Sequence, residues 1–413
     1  MAHDSLLQLH VRVRELSSAP ENLLDLVPVS EDVSAWLGMD VSLLGWGNAA
    51  LLEFSGSHAM RDAARAWDFL AANALVETDY EGAPPPVQWP LSLASFGFAA
   101  QSTGYLIVPE FSVVTAGEQI WAVTVASGVR PPNPLEVLAE DPARVPRPSG
   151  LWTEPGRMTQ TRWKEAVRRL AKMLQSGAAS KVVLTRDIVV SASQPIDERF
   201  LLRELKERYP STWVYAVEGL VGATPEMLAS LRSGRFTSRV LAGTSEPGEG
   251  ESLLASVKNR TEHHLAVESV ARALAPLAEA MTVPAEPSLL DLPNVTHLAT
   301  DVEAVVSGAN VLDIVGALHP TAAVCGTPTS LAFSILEDLE GTQRGRYSGP
   351  VGWIDAAGDG EFGIALRCGQ LSEDHKQIRV FAGGGIMPDS VPDLELAETR
   401  AKMRPVLEAL GVE

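Results

Sequence analysis

Four glutamates, one lysine and one arginine stand where charge is unusual in this chain. Lys181 opens "KVVLTRDIVVSA", an apolar run with no helical period. Glu226 lies in "GATPEML", at the tip of a turn between two strand-like runs. Glu262 lies in "KNRTEHHLAVESV", and Glu395 and Glu398 lie in "PDLELAETRAKM". The last two are three apart and so share one helical face. Arg367 ends the apolar run "FGIAL". A desolvated amine gives up its proton more readily and a desolvated carboxyl keeps it, so a buried lysine and a buried glutamate can serve as base and acid. Two carboxylates facing a third suit a hard cation such as Mg2+. An arginine at a strand end can grip a carboxylate in bidentate fashion. "FAGGGI" after a strand lacks the Gly-Lys-Ser/Thr of a phosphate loop, and no helix opens directly from it. It reads as a tight turn, or as bare backbone N–H groups approaching an anion.

Each of these residues also has an ordinary reading. Most lysines are solvated. Thr-Pro-Glu often starts a helix, with Thr224 as the cap. Carboxylates on amphipathic helices usually face water, and Arg367 could belong to a structural ion pair. Taken singly, the residues do not decide between the two readings.

The elements that must position them are partly visible. "HAMRDAARAWDFLAANAL", "TRWKEAVRRLAKMLQSG" and "DERFLLRELKERY" have helical spacing, the second closing at Gly177. A long amphipathic helix is expected from Leu253 to Ala280 and a last one from Pro392 to Leu410. "VSLLGWGNAALLEFSG" reads as two strands joined by a Gly/Asn turn. "YLIVPEFSVVTAGEQIWAVTVA" reads as a hairpin turning near Ala116-Gly117, and Ser233-Gly234 suits another tight turn. Strands come in hairpins with helices between them, so the expected class is α+β with large antiparallel or mixed sheets. "RPPNPLEVLAEDPARVPRPSG" is the best candidate boundary. It separates a part without catalytic motifs, 1–155, from a part that carries them, 156–413, and the two are expected to pack into one unit.

Composition narrows the partners. The 413 residues are 46% hydrophobic and carry a net charge of -19. That field repels polyanions, and no basic cluster interleaves with aromatics, so nucleic acid and anionic membranes are excluded as partners. A small anionic substrate would need a local cation. Two cysteines far apart, Cys325 and Cys368, form neither a disulfide framework nor a zinc spacing. The N-terminal "MAHDSLLQLHVRVREL" lacks the apolar core of a signal peptide, and no apolar run reaches spanning length, so a cytoplasmic protein is expected.

From about Thr161 to Leu410 the chain resembles the chorismate-binding family of isochorismate synthases, salicylate synthases and the large chains of anthranilate and aminodeoxychorismate synthases. The matching stretches, in family order, are "KVVLTR", "GATPEML", "LAGT", "EHHLAVESV", "HLATDVEAVV", "LHPTAAVCGTP", "RGRYSGPVGWID", "GDGEFGIALRCGQL", "FAGGGI" and "ELAETRAKM". The resemblance implies a chorismate-utilising α/β fold with large sheets wrapped by helices around a buried, Mg2+-dependent site. It implies Lys181 as the base that activates water and Glu226 as the acid that protonates the departing C4 hydroxyl. Glu262 and Glu398 match magnesium ligands, and Glu395 a ligand acting through water. Tyr347 and Arg367 match groups holding a substrate carboxylate, Gly384 and Gly385 a backbone cradle for it, and Gly243 and Thr244 the loop beside the ring.

Within the family, amine-transferring members generally lack the lysine of position 181. Aminodeoxychorismate synthases often carry a lysine where this chain has Ala242. "EHHLAVESV" lacks the arginine-asparagine-aspartate signature of anthranilate synthases. Water is therefore the implied nucleophile, with no glutamine amidotransferase partner and no redox cofactor. "GATPE" and "LHPTAAVCGTP" are closer to isochorismate synthases, which serve menaquinone or siderophore synthesis, and "LLGWGNAALLEF" is similar to menaquinone-pathway members. A salicylate synthase, or a non-catalytic chorismate-binding protein, is the alternative. The departures from the family pattern are Asn259 in place of a common acid, the acidic loop at 245–251, Ala322 for a common proline and Thr329 for a common arginine.

Overall fold

Burial alternates along the strand Trp213–Val217, and that alternation sets the layers. Trp213, Tyr215 and Val217 join one apolar cluster, whereas Val214 and Ala216 join another. Successive strand side chains point to opposite faces. Since all five residues are buried, this sheet has to be covered on both sides. The computed structural model describes residues 8–17, 23–28, 32–79, 85–138, 145–340 and 344–412.

Among the described residues the strands form two sheets. The larger, of 13 strands, runs Leu151–Pro155, Lys181–Ala192, Gln377–Ile386, Cys368–Leu371, Leu220–Thr224, Trp213–Val217, Val33–Leu37, Val41–Trp46, Phe111–Ala116, Gln119–Ser127, Leu9–Glu15 and Leu75–Asp79, with Gly326–Thr327 beside Lys181–Ala192. Its pairs are antiparallel except for the last two strands in that order, which are parallel. The second, of 10 strands, includes Arg235–Ser245, Thr296–Val306, Met227–Arg232, Gly360–Ile364, Pro350–Asp355 and Leu91–Ser95. Strands from before and after residue 155 neighbour one another in both. Val33–Leu37 pairs with Trp213–Val217, and Leu91–Ser95 with Pro350–Asp355. The chain thus adopts the expected α+β class with large mixed sheets.

Helices close the outer faces. Glu198–Arg208 and Pro392–Leu410 bring Leu201, Leu202, Leu205, Met403, Val406 and Leu410 against the larger sheet. Val257–Leu274 and Val311–Leu318 pack on the second sheet. Between the sheets the core is largely apolar, and a polar contact crosses it. Trp36 Nε1 on the larger sheet donates to Glu361 Oε2 on the second at 3.0 Å.

Two local expectations fail for tertiary reasons. The helix expected over Leu253–Ala280 is three elements. Gly250–Ala255 ends at Ser256, whose hydroxyl caps a new helix, Val257–Leu274, and Ala278–Thr282 is a strand paired to Thr296–Val306. Val41–Trp46 and Ala50–Phe54 are not a hairpin. The first pairs within the larger sheet and the second with Gly104–Val108 of the other. The hairpin Phe111–Ala116/Gln119–Ser127 and the final helix Pro392–Leu410 form as expected.

Candidate active site

Lys181 is the first residue of Lys181–Ala192 and is completely buried. Gly326–Thr327 pairs beside its first residues, and Gln377–Ile386 pairs along the other edge. Arg344 tightens this strand mouth. It donates to Val183 O at 2.6 Å and Val324 O at 2.8 Å, while Glu340, its ion-pair partner, accepts from Thr185 N at 3.0 Å. Held there, Lys181 Nζ lies 3.0 Å from Glu262 Oε1. The approach is an ion pair without hydrogen-bond alignment, so no acceptor among the described residues fixes the amine's direction.

Glu226 owes its position to a sheet crossing. Leu220–Thr224 belongs to the larger sheet and Met227–Arg232 to the second. Thr-Pro-Glu therefore bridges two sheets and starts no helix. Thr224 Oγ1 accepts from Glu226 N at 3.2 Å. Burial pushes the Glu226 carboxyl up to about 7, with a backbone hydrogen bond from Leu241 and the charges of Lys181, Arg367 and Lys402 pulling the other way. A carboxyl in that range is partly protonated near neutrality and can donate.

Arg367 and Tyr347 line the same cavity as Glu226. Arg367 is buried in the left-handed region, φ +48°, which an arginine rarely adopts. Among the described residues no carboxylate pairs with it, its Nε has no partner, and its Nη2 lies 2.9 Å from His297 Nε2. A buried cation without a counter-anion is an arrangement that takes a carboxylate ligand. Tyr347 stacks on Phe381 with ring centroids 5.0 Å apart, and burial pushes its phenol up to about 12, so it remains a donor.

Two glycine positions depend on the absence of a side chain. Gly243 has φ +80° at a bulge of Arg235–Ser245, and a Cβ there would press to 3.2 Å from Asn259 Cβ. A Cβ on Gly385 would fall on Glu262 Oε1 and come within 2.7 Å of Lys181 Cε. On Gly384 it would lie 3.3 Å from Glu395 Oε2 and 3.7 Å from Glu398 Oε1. Glu226, Gly243, Thr244, Glu262, Tyr347, Arg367, Gly384 and Gly385 all line one narrow cavity of about 50 Å³. Lys181 adjoins it through Glu262. Glu395 and Glu398 stand behind Gly384 and do not line it.

Each glutamate expected to hold metal has a lysine. Lys181 pairs with Glu262 and Lys258 with Glu395, both at 3.0 Å, and Lys402 pairs with Glu398. Among the described residues no three metal-binding side chains converge. Glu395 and Glu398 nonetheless fit a hard divalent cation by chemistry. Burial first, and then the Glu398 charge, raise the Glu395 carboxyl, and like charges sharing one site are what a cation relieves. Glu262 is engaged with Lys181 instead.

Several residues that build the site stand inside the stretches quoted above without being singled out there, His297 in "HLATDVEAVV", Lys258 in "KNRTEHHLAVESV", Arg344 in "RGRYSGPVGWID" and Lys402 in "ELAETRAKM". His297 and Lys258 reach the site through distant partners, Arg367 and Glu395, whereas Lys402 pairs with Glu398 and Arg344 with Glu340, each four residues away. His263, inside the quoted "EHHLAVESV", is structural. Its ring bridges Ala242 O at 3.1 Å and Thr300 Oγ1 at 2.7 Å, and burial lowers it to about 4. Asn259 turns to the helix cap, donating Nδ2 to Ser256 Oγ at 3.0 Å. Among the described residues no helix is long and apolar enough to cross a membrane.

A profile described as chorismate binding enzyme matches residues 36–411. A Mycobacterium tuberculosis protein carrying the provisional name isochorismate synthase MenF is 39% identical over 258 residues, 57% of this chain and 69% of that one. The vibriobactin-specific isochorismate synthase of Vibrio cholerae is 33% identical over 299 residues, 68% of this chain and 75% of that one. The solved structure of MenF, the menaquinone-specific isochorismate synthase from Escherichia coli, superposes with a TM-score of 0.78 over 98% of this chain and 95% of that one. At 20% identity that likeness concerns the fold.

Proposed function

This chain belongs to the chorismate-binding enzyme family, and we propose that it is an isochorismate synthase that isomerises chorismate to isochorismate. Residues 156–413 carry the catalytic part in this reading, and 1–155 complete the sheets around it. Two separate proton transfers are needed. Water adds at C2 as it loses a proton to Lys181, and the C4 hydroxyl departs as it gains one from Glu226. The observation that carries the reading is Glu226, a carboxyl buried on the cavity and pushed up to about 7 by that burial, with an equally buried lysine adjoining the same cavity through Glu262. Arg367 and Tyr347 supply the grip on a substrate carboxylate, and the N–H groups around Gly384 and Gly385 give it a cradle free of side chains.

Magnesium completes the reading. Glu398 and Glu262 would hold it, Glu262 by turning to it from its pairing with Lys181, and Glu395 would hold it through water. Its chemistry is to neutralise and orient the ring carboxylate of the substrate. With Lys181 in place and no amine donor required, water is the nucleophile and no amidotransferase subunit takes part. The names of the relatives include both menaquinone-specific and siderophore-specific enzymes, so the product feeds one of those two pathways.

The test is incubation with chorismate and Mg2+, with and without chelator, and chromatography of the products. Isochorismate without pyruvate is expected, and chelation stops its formation. Pyruvate among the products would make the protein a salicylate synthase. Lys181→Ala should reduce turnover by roughly 10²–10⁴-fold, and a Lys181→Ala protein as fast as the native one would refute the base assignment.

A further inference from the structure

We propose that His297 is a positioning residue for this reaction: a neutral imidazole that aims the Arg367 guanidinium into the cavity and ties it to the Gly243–Thr244 bulge. The inference rests on the reading above that Arg367 grips a substrate carboxylate.

Hydrogen-bond direction fixes the ring's state. A guanidinium has donors only. The 2.9 Å contact from Arg367 Nη2 therefore makes His297 Nε2 an acceptor. The ring proton must then sit on Nδ1. That atom lies 3.3 Å from Gly243 O and 3.1 Å from Thr244 Oγ1. A carbonyl only accepts, so the same tautomer satisfies both ends of the ring. An imidazolium would point an N–H at the guanidinium inside a buried site, which is the costly arrangement. Burial first, and the charges of Arg367 and Lys402 after it, hold His297 well below its ordinary range.

The backbone explains the geometry. His297 is the second residue of Thr296–Val306 and sits opposite Thr244 in the sheet register, at the bulge that puts Gly243 in its left-handed conformation. Arg367 arrives from another direction, between Gly360–Ile364 and Cys368–Leu371. Among the described residues, His297 Nε2 is the one group that accepts a hydrogen bond from that guanidinium. Without it Arg367 keeps its charge and burial but loses its direction. Two segments distant in sequence, both facing the cavity, are thus held in register by a single ring.

Two variants and one spectrum test this. His297→Leu removes the acceptor without adding charge, and His297→Gln keeps an acceptor and a donor. His297→Leu should raise the KM for chorismate roughly 10–100-fold, the worth of one hydrogen bond to a charged group, with a much smaller change in kcat. His297→Gln should recover most of the loss. In the native protein, 15N spectra of labelled histidine should show two rings protonated at Nδ1 and not titrating between about pH 5.5 and 8.5, those of His263, whose Nδ1 faces the Ala242 carbonyl, and His297, and His297→Leu should remove one of the two. An Nε2-protonated or titrating His297 would overturn the proposal. So would an unchanged KM in a folded His297→Leu protein, or a Gln variant as impaired as the Leu variant. If the native protein makes no isochorismate, the functional reading fails by itself, and the spectrum still judges the contact.

Discussion

Glu226 offers the sharpest test of the acid role, because its state is set by burial and can be moved by pH. With a value near 7, about nine molecules in ten hold the proton at pH 6 and about one in ten at pH 8. Only the protonated form can hand a proton to a departing hydroxyl. kcat/KM, which reports the free enzyme, should therefore fall about tenfold per pH unit above 7. Glu226→Gln fills the same space and accepts similar hydrogen bonds but has no acidic proton. It should lose roughly 10²–10⁴-fold in rate, and the limb near pH 7 should vanish with it. The assay is initial-rate chromatography of isochorismate at saturating Mg2+ from pH 5.5 to 9. A native profile that stays level through pH 8, with the Gln variant keeping a tenth or more of native activity, would refute the assignment. A stability corollary has the same origin. The folded-state value lies above the ordinary 4.5, so the native state binds this proton more tightly than the unfolded chain. Glu226 should cost stability as pH rises from 4.5 through 7, and most above 7.

Gly385→Ala places a methyl group on Glu262 and Lys181, and should lower kcat by about 10²-fold or more through misplacement of the base. It should also cost about 1–3 kcal/mol in urea unfolding from overpacking, and an active, equally stable variant would show that the strand yields. Glu198 is a buried carboxyl away from the cavity, pushed up to about 8 by burial and then by Asp32, Asp197 and Glu218. Its native state therefore outbinds the unfolded chain for a proton between 4.5 and 8, and the ionised form costs stability above that range. Glu198→Gln should stabilise the protein by up to about 5 kcal/mol above pH 8, less as pH falls, and not at all below 4.5. Paired urea melts at pH 6 and pH 9 check this, and a gain no larger at pH 9 would count against it.

What could be read in advance follows from what is local. Lys181 drew attention because a charge opened an apolar run with no helical period, and burial of that strand on both faces is what such a run encodes. Glu395 and Glu398 could be placed together from a spacing of three, since Pro392 begins their helix and Gly411, at φ +73°, ends it. The Thr-Pro-Glu triplet shows where locality stops. Its propensities allow a helix start, yet Thr224 pairs with Trp213 in the larger sheet and Met227 with Gly363 in the second, so tertiary pairing and not local propensity decides the crossing. The same limit hid His297. His297 opens the family-matching stretch "HLATDVEAVV", but the task of its ring is set only by Arg367, 70 positions later, which brings its guanidinium there. It also hid Lys258. Lys258 looks like an ordinary surface charge and becomes the counter-ion of Glu395 only when helix Val257–Leu274 meets helix Pro392–Leu410, whereas Lys402 pairs with Glu398 one turn away on its own helix. Motif positions could be recognised one at a time because each rests on a local backbone geometry. The balance of charge that lets three glutamates be buried beside a half-buried fourth is a property of the closed fold, and no segment contains it alone.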